Sequence, residues 1–191
     1  MIAIKIVPSH CGNKCIPDMN EGDQDMPGRE SIEGHCTCGR VRYRMNKAPM
    51  FVHCCHCRWC QRETGTAFAL NGLVEAREVT LLKGQVEIVD TPSNSGKGQR
   101  IARCPDCRVA LWSNYAGGGD RIHFIRIGTL DHPDAFPPDV HIYTSTKQPW
   151  VNLDGGAPAV AEYYRRSEYW PAESVERYRK AIAEVSGAAE R

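Results

Sequence analysis

Cys55-His56-Cys57-Arg58-Trp59-Cys60 puts three thiols within six residues, and two tight pairs flank it in the chain, Cys36-Thr37-Cys38 upstream and Cys104-Pro105-Asp106-Cys107 downstream. The chain has 191 residues and 10 cysteines, and how these clusters are read decides the fold. Disulfides are rare in reducing compartments, and a chain of this length has no need of them as staples. Clustered thiols suit chelation better than bridging. The first residues, Met1 to Pro8, have a short apolar stretch but neither a basic n-region nor a long apolar core, so no secretory signal is read and a cytoplasmic location is expected. Clustered cysteines in such a chain point to metal.

The remaining composition sets limits. Hydrophobic residues make up 41% and charged residues 25%, ordinary for a globular domain with a full core. A formal net charge of +1 without a basic stripe argues against nucleic acid as partner. No apolar run approaches the ~18 residues that a membrane span requires.

Along the chain, residues 1–30 are polar and rich in turn residues and are read as a mobile arm; Cys11 and Cys15 within it are taken as unliganded thiols. Short strands are expected at 35–44, 49–53, 66–74, 79–83, 85–90, 99–103, 108–115, 121–127 and 140–145, with one or two helical turns at 58–64 closed by Gly65. Thr91 to Gly98 and Ala116 to Asp120 read as hairpin connections, and a further helical turn fits 131–136. After Trp170-Pro171 an amphipathic helix carries Val175, Tyr178, Ile182 and Val185 on one face. The expected architecture is mainly β with a C-terminal helix: an arm at 1–30, a zinc-binding domain at 31–165 and a helical extension at 166–191.

Zinc takes four tetrahedral ligands with sulfur at ~2.3 Å, and a closed four-cysteine site is usually structural. Cys104 and Cys107 supply half of such a site; Cys36 and Cys38, in a tight turn about Gly39, can supply the other half and staple distant parts of the chain. Cys55, Cys57 and Cys60 leave one position open, as a catalytic zinc does, unless Cys54, His53 or His56 closes it. Strand alternation turns Cys54 and His56 away from Cys55 and Cys57, so Cys54 is read as a buried free thiol and the site as open. His35, His123 and His132 carry ordinary packing or turn readings, while His141 is placed to line a cleft. Arg58, Gln61 and Arg62, just after the ligands, can receive a substrate carboxylate. Trp150 can wall the cleft or pack in the core.

Four segments together resemble the glutathione-dependent formaldehyde-activating enzyme family, which also includes centromere protein V. They are Gly34-His-Cys-Thr-Cys-Gly39-Arg-Val-Arg-Tyr43, Cys55-His-Cys-Arg-Trp-Cys-Gln-Arg-Glu-Thr-Gly65, Arg103-Cys-Pro-Asp-Cys-Arg-Val-Ala-Leu-Trp112 and His141-Ile-Tyr-Thr-Ser-Thr-Lys-Gln-Pro-Trp150. The resemblance implies a β-tent of small antiparallel sheets around zinc sites. It implies two zinc ions, one structural at Cys36, Cys38, Cys104 and Cys107 and one catalytic at Cys55, Cys57 and Cys60. It further implies a carbon–sulfur lyase that condenses glutathione with formaldehyde. The alternatives are a zinc lyase or hydrolase acting on another small thiol or carbonyl compound, and a zinc-stapled binding module without catalysis. Two positions depart from the family pattern. Arg103 replaces an aromatic residue, and Arg108 stands where glycine usually supplies the positive φ after the second cysteine pair, so a strained or altered turn is expected there.

Overall fold

Short runs of alternating residues, punctuated by glycine and proline, give ten strands and three α-helices in the computed structural model, which describes residues 32–153 and 155–183. The predicted arm at 1–30, with Cys11 and Cys15, lies outside the described residues, as does Val185. In chain order the elements are β1 (Ile32–His35), β2 (Arg42–Met45), β3 (Phe51–Cys55), α1 (Arg58–Thr64), β4 (Ala69–Glu75), β5 (Val79–Lys83), β6 (Glu87–Thr91), β7 (Gln99–Arg103), β8 (Ala110–Tyr115), β9 (Ile122–Arg126), β10 (Val140–Ile142), α2 (Arg166–Tyr169) and α3 (Ala172–Ala183).

The strands form a three-stranded sheet, β1-β2-β5, and a seven-stranded sheet, β10-β3-β4-β9-β8-β7-β6. Every pairing within them is antiparallel except β10 with β3, where Ile142 stands opposite Cys55. The protein is therefore mainly β, as its pattern predicts. Both Gly-containing loops read as hairpins do connect antiparallel neighbours, β6 to β7 and β8 to β9. The single strand expected over 35–44 is instead two pieces. Residues 36–41 fold into a turn that carries two cysteines, because Gly39 takes φ 68 and its N–H bonds the Cys36 carbonyl at 2.9 Å. The strand expected over 140–145 stops at Ile142, where Tyr143 adopts φ 56 and ends the ladder.

Two apolar clusters hold the sheets. The first packs Tyr43 and Met45 of the small sheet, with Val41 from the turn before β2, against Leu111, Trp112 and Ile125 of the large one, all nearly or fully buried. The rings of Tyr43 and Trp112 meet edge to face at 5.9 Å, a geometry that adds to the transfer free energy of their burial. The second cluster places Phe51, Leu73, Ile122 and Val140 beneath Trp170, Tyr178 and Ala181 of the C-terminal segment. Phe51 stacks on Trp170 at 5.2 Å, so the last helices are packed on the large sheet through aromatic burial. A buried ion pair pins α3 as well. Arg177 donates to both carboxylate oxygens of Glu75, at 2.9 and 2.7 Å, and Glu75 is 1% exposed. No helix among the described residues is long and apolar enough to cross a membrane.

Candidate metal centres and the pocket beside them

Two similar turns bring four thiols together. After β1, Cys36 N–H bonds the Val41 carbonyl at 3.1 Å, and Val41 N–H points back at the Cys36 sulfur at 3.3 Å. Between β7 and β8, Cys104 N–H bonds the Val109 carbonyl and Arg108 N–H bonds the Cys104 carbonyl, both at 3.0 Å. Gly39 supplies positive φ in the first turn, and Arg108, at φ 62, supplies it in the second. The departure from glycine noted in the sequence has therefore left the turn intact, with an arginine held in a conformation that glycine takes without steric cost. Exposed Arg40 and Asp106, one in each turn, lie 3.5 Å apart across the gap.

The sulfurs of Cys36, Cys38, Cys104 and Cys107 all lie within 4.8 Å of one another. Cys36 to Cys38 is 3.5 Å and Cys38 to Cys104 is 3.7 Å, too long for a disulfide. A tetrahedron with ~2.3 Å metal–sulfur bonds has edges of ~3.8 Å, so the four sulfurs are spaced to hold one zinc-sized ion. Burial pushes the Cys36 thiol up, but the Val41 N–H and the neighbouring thiols bring it below the ordinary range. The Val109 N–H brings Cys107 down to about 6, against the opposing effect of burial. The donor set fits a thiophilic cation. Because the first turn belongs to the three-stranded sheet and the second to the seven-stranded one, this cluster bridges the two sheets.

The second group is built at the end of β3. Cys55 is its last residue, Cys57 caps α1 by accepting Cys60 N–H at 3.4 Å, and Cys60 sits in the first helical turn. Gly65, in the left-handed conformation, closes α1 by donating to the Gln61 carbonyl. The three sulfurs lie within 4.8 Å of one another, and among the described residues no fourth Cys, His, Asp or Glu ligand atom joins them. Hydrogen bonding from Cys55 and Cys60 holds Cys57 far below the usual thiol range, while Cys55, bonded to Cys57 and Cys60 and buried, is driven far above it. Crowding three sulfurs lets one ionise and makes each further charge costly, a conflict that a bound cation removes. These residues also fit a thiophilic metal, with one ligand fewer. Buried Arg126, hydrogen-bonded to Asn71 and Ser113, lends positive charge on the Cys60 side.

Cys54 faces the other way, as alternation predicts. Its sulfur is 3.5 Å from His56 Nε2, which in turn lies 3.0 Å from His141 Nδ1. His141 is thus buried on the face opposite the three sulfurs and does not line the cleft expected for it; burial lowers its pKa. His53 is on the sulfur side, because it shares strand parity with Cys55. Burial, and then the nearby Arg166, push it down to about 3, so it is a neutral ring bonded to the Tyr164 hydroxyl.

Cys55, Cys57 and Cys60 open onto a cavity of about 240 Å³, walled in part by His53, Tyr143, Tyr163, Arg166 and Tyr178. Arg58, Gln61, Arg62 and Trp150, the substrate-contacting residues expected from sequence, are not among its lining residues. Gln61 is buried; its amide nitrogen bonds the carbonyls of His56 and Thr146, and its oxygen accepts from Arg58 and Gln148. Arg62 is exposed and Trp150 is 73% exposed, so Trp150 neither walls the cleft nor packs in the core. What sequence reading missed is the contribution of 143–178. Tyr143 sits at positive φ beside Cys55 and Cys57, a strained backbone at the pocket wall. The strand parity of His53 was a usable signal; for Arg166 there was none, since its approach depends on tertiary packing. A wider depression of about 700 Å³ shares Trp59 with this pocket but holds none of the clustered cysteines.

Residues 31–146 match the model of the family described as glutathione-dependent formaldehyde-activating enzyme. A relative from Penicillium rubens, described as a putative glutathione-dependent formaldehyde-activating enzyme, is 30% identical over 131 residues, covering 65% of this chain and 60% of its own length. The chain thus spans about three fifths of that curated relative. A crystal structure of a Rhodobacter sphaeroides protein aligns with 67% of this chain and 99% of its own at 12% identity and a TM-score of 0.39, too distant to carry an argument.

Proposed function

Because the chain belongs to the glutathione-dependent formaldehyde-activating enzyme family, we propose that it joins a small thiol such as glutathione to formaldehyde or a related carbonyl compound at a zinc site formed by Cys55, Cys57 and Cys60. The reaction is an addition. The thiol sulfur forms a bond to the carbonyl carbon, the carbonyl π bond breaks, and the proton lost by the thiol ends on the new hydroxyl. In reverse it is carbon–sulfur lyase chemistry.

One observation carries this reading: three clustered sulfurs without a fourth ligand atom among the described residues, facing a cavity of small-molecule size. Cys55, Cys57 and Cys60 would hold the zinc ion, which would supply Lewis acidity that favours the ionised form of an incoming thiol below its free pKa of ~8.5. The protein's own groups shape the rest. The tyrosines of the pocket wall, Tyr143 and Tyr163, hold their protons because burial raises both, Tyr163 to about 12. Their hydroxyls are thus donors near neutral pH. Neutral His53 keeps a competing positive charge away from the sulfurs. Trp170, Tyr164 and Tyr178, packed over the same end of the sheet, limit access of water.

In the same account Cys36, Cys38, Cys104 and Cys107 hold a second zinc with a structural role, and the catalytic domain spans 31–165. All eight cysteines of the described residues are free thiols, which suits a reducing compartment and supports the cytoplasm as the proposed location.

The test is turnover. Formation of S-(hydroxymethyl)glutathione from glutathione and formaldehyde is followed by exchange NMR with wild type and Cys57→Ser. Acceleration above the uncatalysed rate by wild type alone supports the proposal. No acceleration by zinc-loaded wild type, with this or other small aldehydes, overturns it in favour of a zinc-stapled binding module.

A further inference from the structure

The pocket beside the three sulfurs contains one permanently charged side chain, and it comes from outside residues 31–146 that match the family. Among the lining residues there is no Asp, Glu or Lys and no arginine other than Arg166 of α2. We propose that Arg166 is a carboxylate subsite of this pocket and makes it selective for thiols that bear an anionic group. The inference rests on the thiol-handling reading above and deepens it.

The guanidinium is held in place before any ligand arrives. Its carbon lies 4.0 Å from the centroid of the Tyr178 ring and 5.7 Å from that of Trp170, and both rings are almost fully buried. Each ring is fixed in turn: Tyr178 Oη donates to the Gly117 carbonyl at 3.2 Å and Trp170 Nε1 donates to Tyr164 Oη at 2.6 Å. Arg166 gives one hydrogen bond, from Nη2 to Tyr178 Oη at 3.1 Å, and among the described residues no carboxylate lies within salt-bridge reach. Aromatic contact thus restrains the guanidinium, while the remaining N–H groups are left to meet a planar anion. Such a group is suited to two-point binding of a carboxylate.

A bare structural role is a weaker account. An arginine kept for packing alone needs no place in a cavity wall that otherwise carries only neutral polar and apolar groups plus the thiols. Its charge is felt inside the pocket, where it helps to keep His53 neutral. A thiol with its sulfur at Cys55, Cys57 and Cys60 and a carboxylate at Arg166 is gripped at two chemically distinct points, which fixes its direction.

The test is a calorimetric titration of the zinc-loaded full chain with glutathione, its diethyl ester and S-methylglutathione. Wild type is expected to bind glutathione about tenfold more tightly than the diethyl ester, and Arg166→Gln to bring the two within about twofold, with Arg166→Lys between them. Both variants alter an exposed side chain, and circular dichroism verifies their fold. An unchanged preference in Arg166→Gln, or no preference in wild type, overturns the subsite. S-methylglutathione separates this from the underlying reading: if it binds as tightly as glutathione, contact of the thiol with the metal site is refuted while the discrimination at Arg166 stands. If none of the three probes binds, both fall.

Discussion

Arg177→Met tests how the C-terminal segment is held over the pocket. Arg177 places Nε and one Nη nitrogen on the two oxygens of Glu75, and the same Nη nitrogen reaches the Ala48 carbonyl at 3.1 Å. Removing the guanidinium leaves a carboxylate that is 1% exposed, at the last residue of β4, without its ion-pair partner. Breaking a buried pair from one side costs 3–5 kcal/mol; with the Arg177 side chain 21% exposed the low end applies, about 3 kcal/mol. At 2–4 °C per kcal/mol for a protein of this size, the melting temperature falls by about 6–12 °C. Replacing both partners, as Glu75→Leu with Arg177→Met, removes the stranded charge and restores most of the loss, because a well-packed apolar pair is often equivalent to a buried ion pair.

The pH dependence has a defined sign. Burial raises the Glu75 carboxyl, but the Arg177 hydrogen bonds outweigh it and leave the folded pKa below the unfolded value of ~4.3. Its contribution is therefore complete above ~4.3 and is lost as the pH falls toward the depressed folded value. In Arg177→Met burial acts on the carboxyl with less opposition and its pKa rises, so the gap to wild type narrows on acidification. Urea unfolding at pH 7, at about 4.5 and at about 3.5 measures both effects. A single-mutant loss under about 1 kcal/mol, or a double mutant less stable than the single, refutes the reasoning.

Arg108→Gly is expected to exceed Arg108→Ala in stability by about 1 kcal/mol in thermal unfolding, since both lose the exposed ion pair with Glu87 but only glycine relieves positive φ; equal stabilities count against strain in the turn. Gln61→Leu leaves the Thr146 carbonyl without its Gln61 donor and the His56 carbonyl with the Thr146 hydroxyl alone, and should cost about 2 kcal/mol of stability by urea unfolding. A Gln61 variant of full stability but weakened glutathione binding contradicts the structural role assigned to it. Trp150→Ala should change stability by no more than about 0.5 kcal/mol, the range for an exposed position without a special contact; a larger loss shows that the indole is packed.

The β architecture was legible because it is written in local chemistry. Val79 to Lys83 and Gln99 to Arg103 became strands with the bounds their pattern implied, and Arg58 to Thr64 became a helix ended by Gly65. The clusters were legible for a related reason: a one- or two-residue spacer between cysteines constrains where their sulfurs can go. The tight turn about Gly39 was legible from the cysteine spacing, but its full extent over 36–41 was not, since Val41 and Tyr43 keep the parity of one strand. Sequence patterning also gave no hint that β10 runs parallel to β3. The pocket wall was the least legible part. Arg58, Gln61 and Arg62 attracted attention by lying next to the cysteines, yet helical geometry and a network of carbonyls took Gln61 into the interior. Arg166 lies more than 100 residues from Cys55, and only the packing of Trp170 and Tyr178 on the sheet brings it to the pocket.

In the proposed division of labour one thiol cluster holds the sheets together and the other meets the substrate. Zinc content by mass spectrometry, measured with thermal unfolding on wild type, Cys38→Ser, Cys104→Ser and Cys57→Ser, separates the two roles. Expected are two zinc ions in wild type, a large loss of stability in Cys104→Ser and in the more exposed Cys38→Ser, and a folded Cys57→Ser that keeps one tightly held ion. Fewer than two zinc ions in wild type, or Cys57→Ser unfolding as readily as Cys104→Ser, would contradict that division.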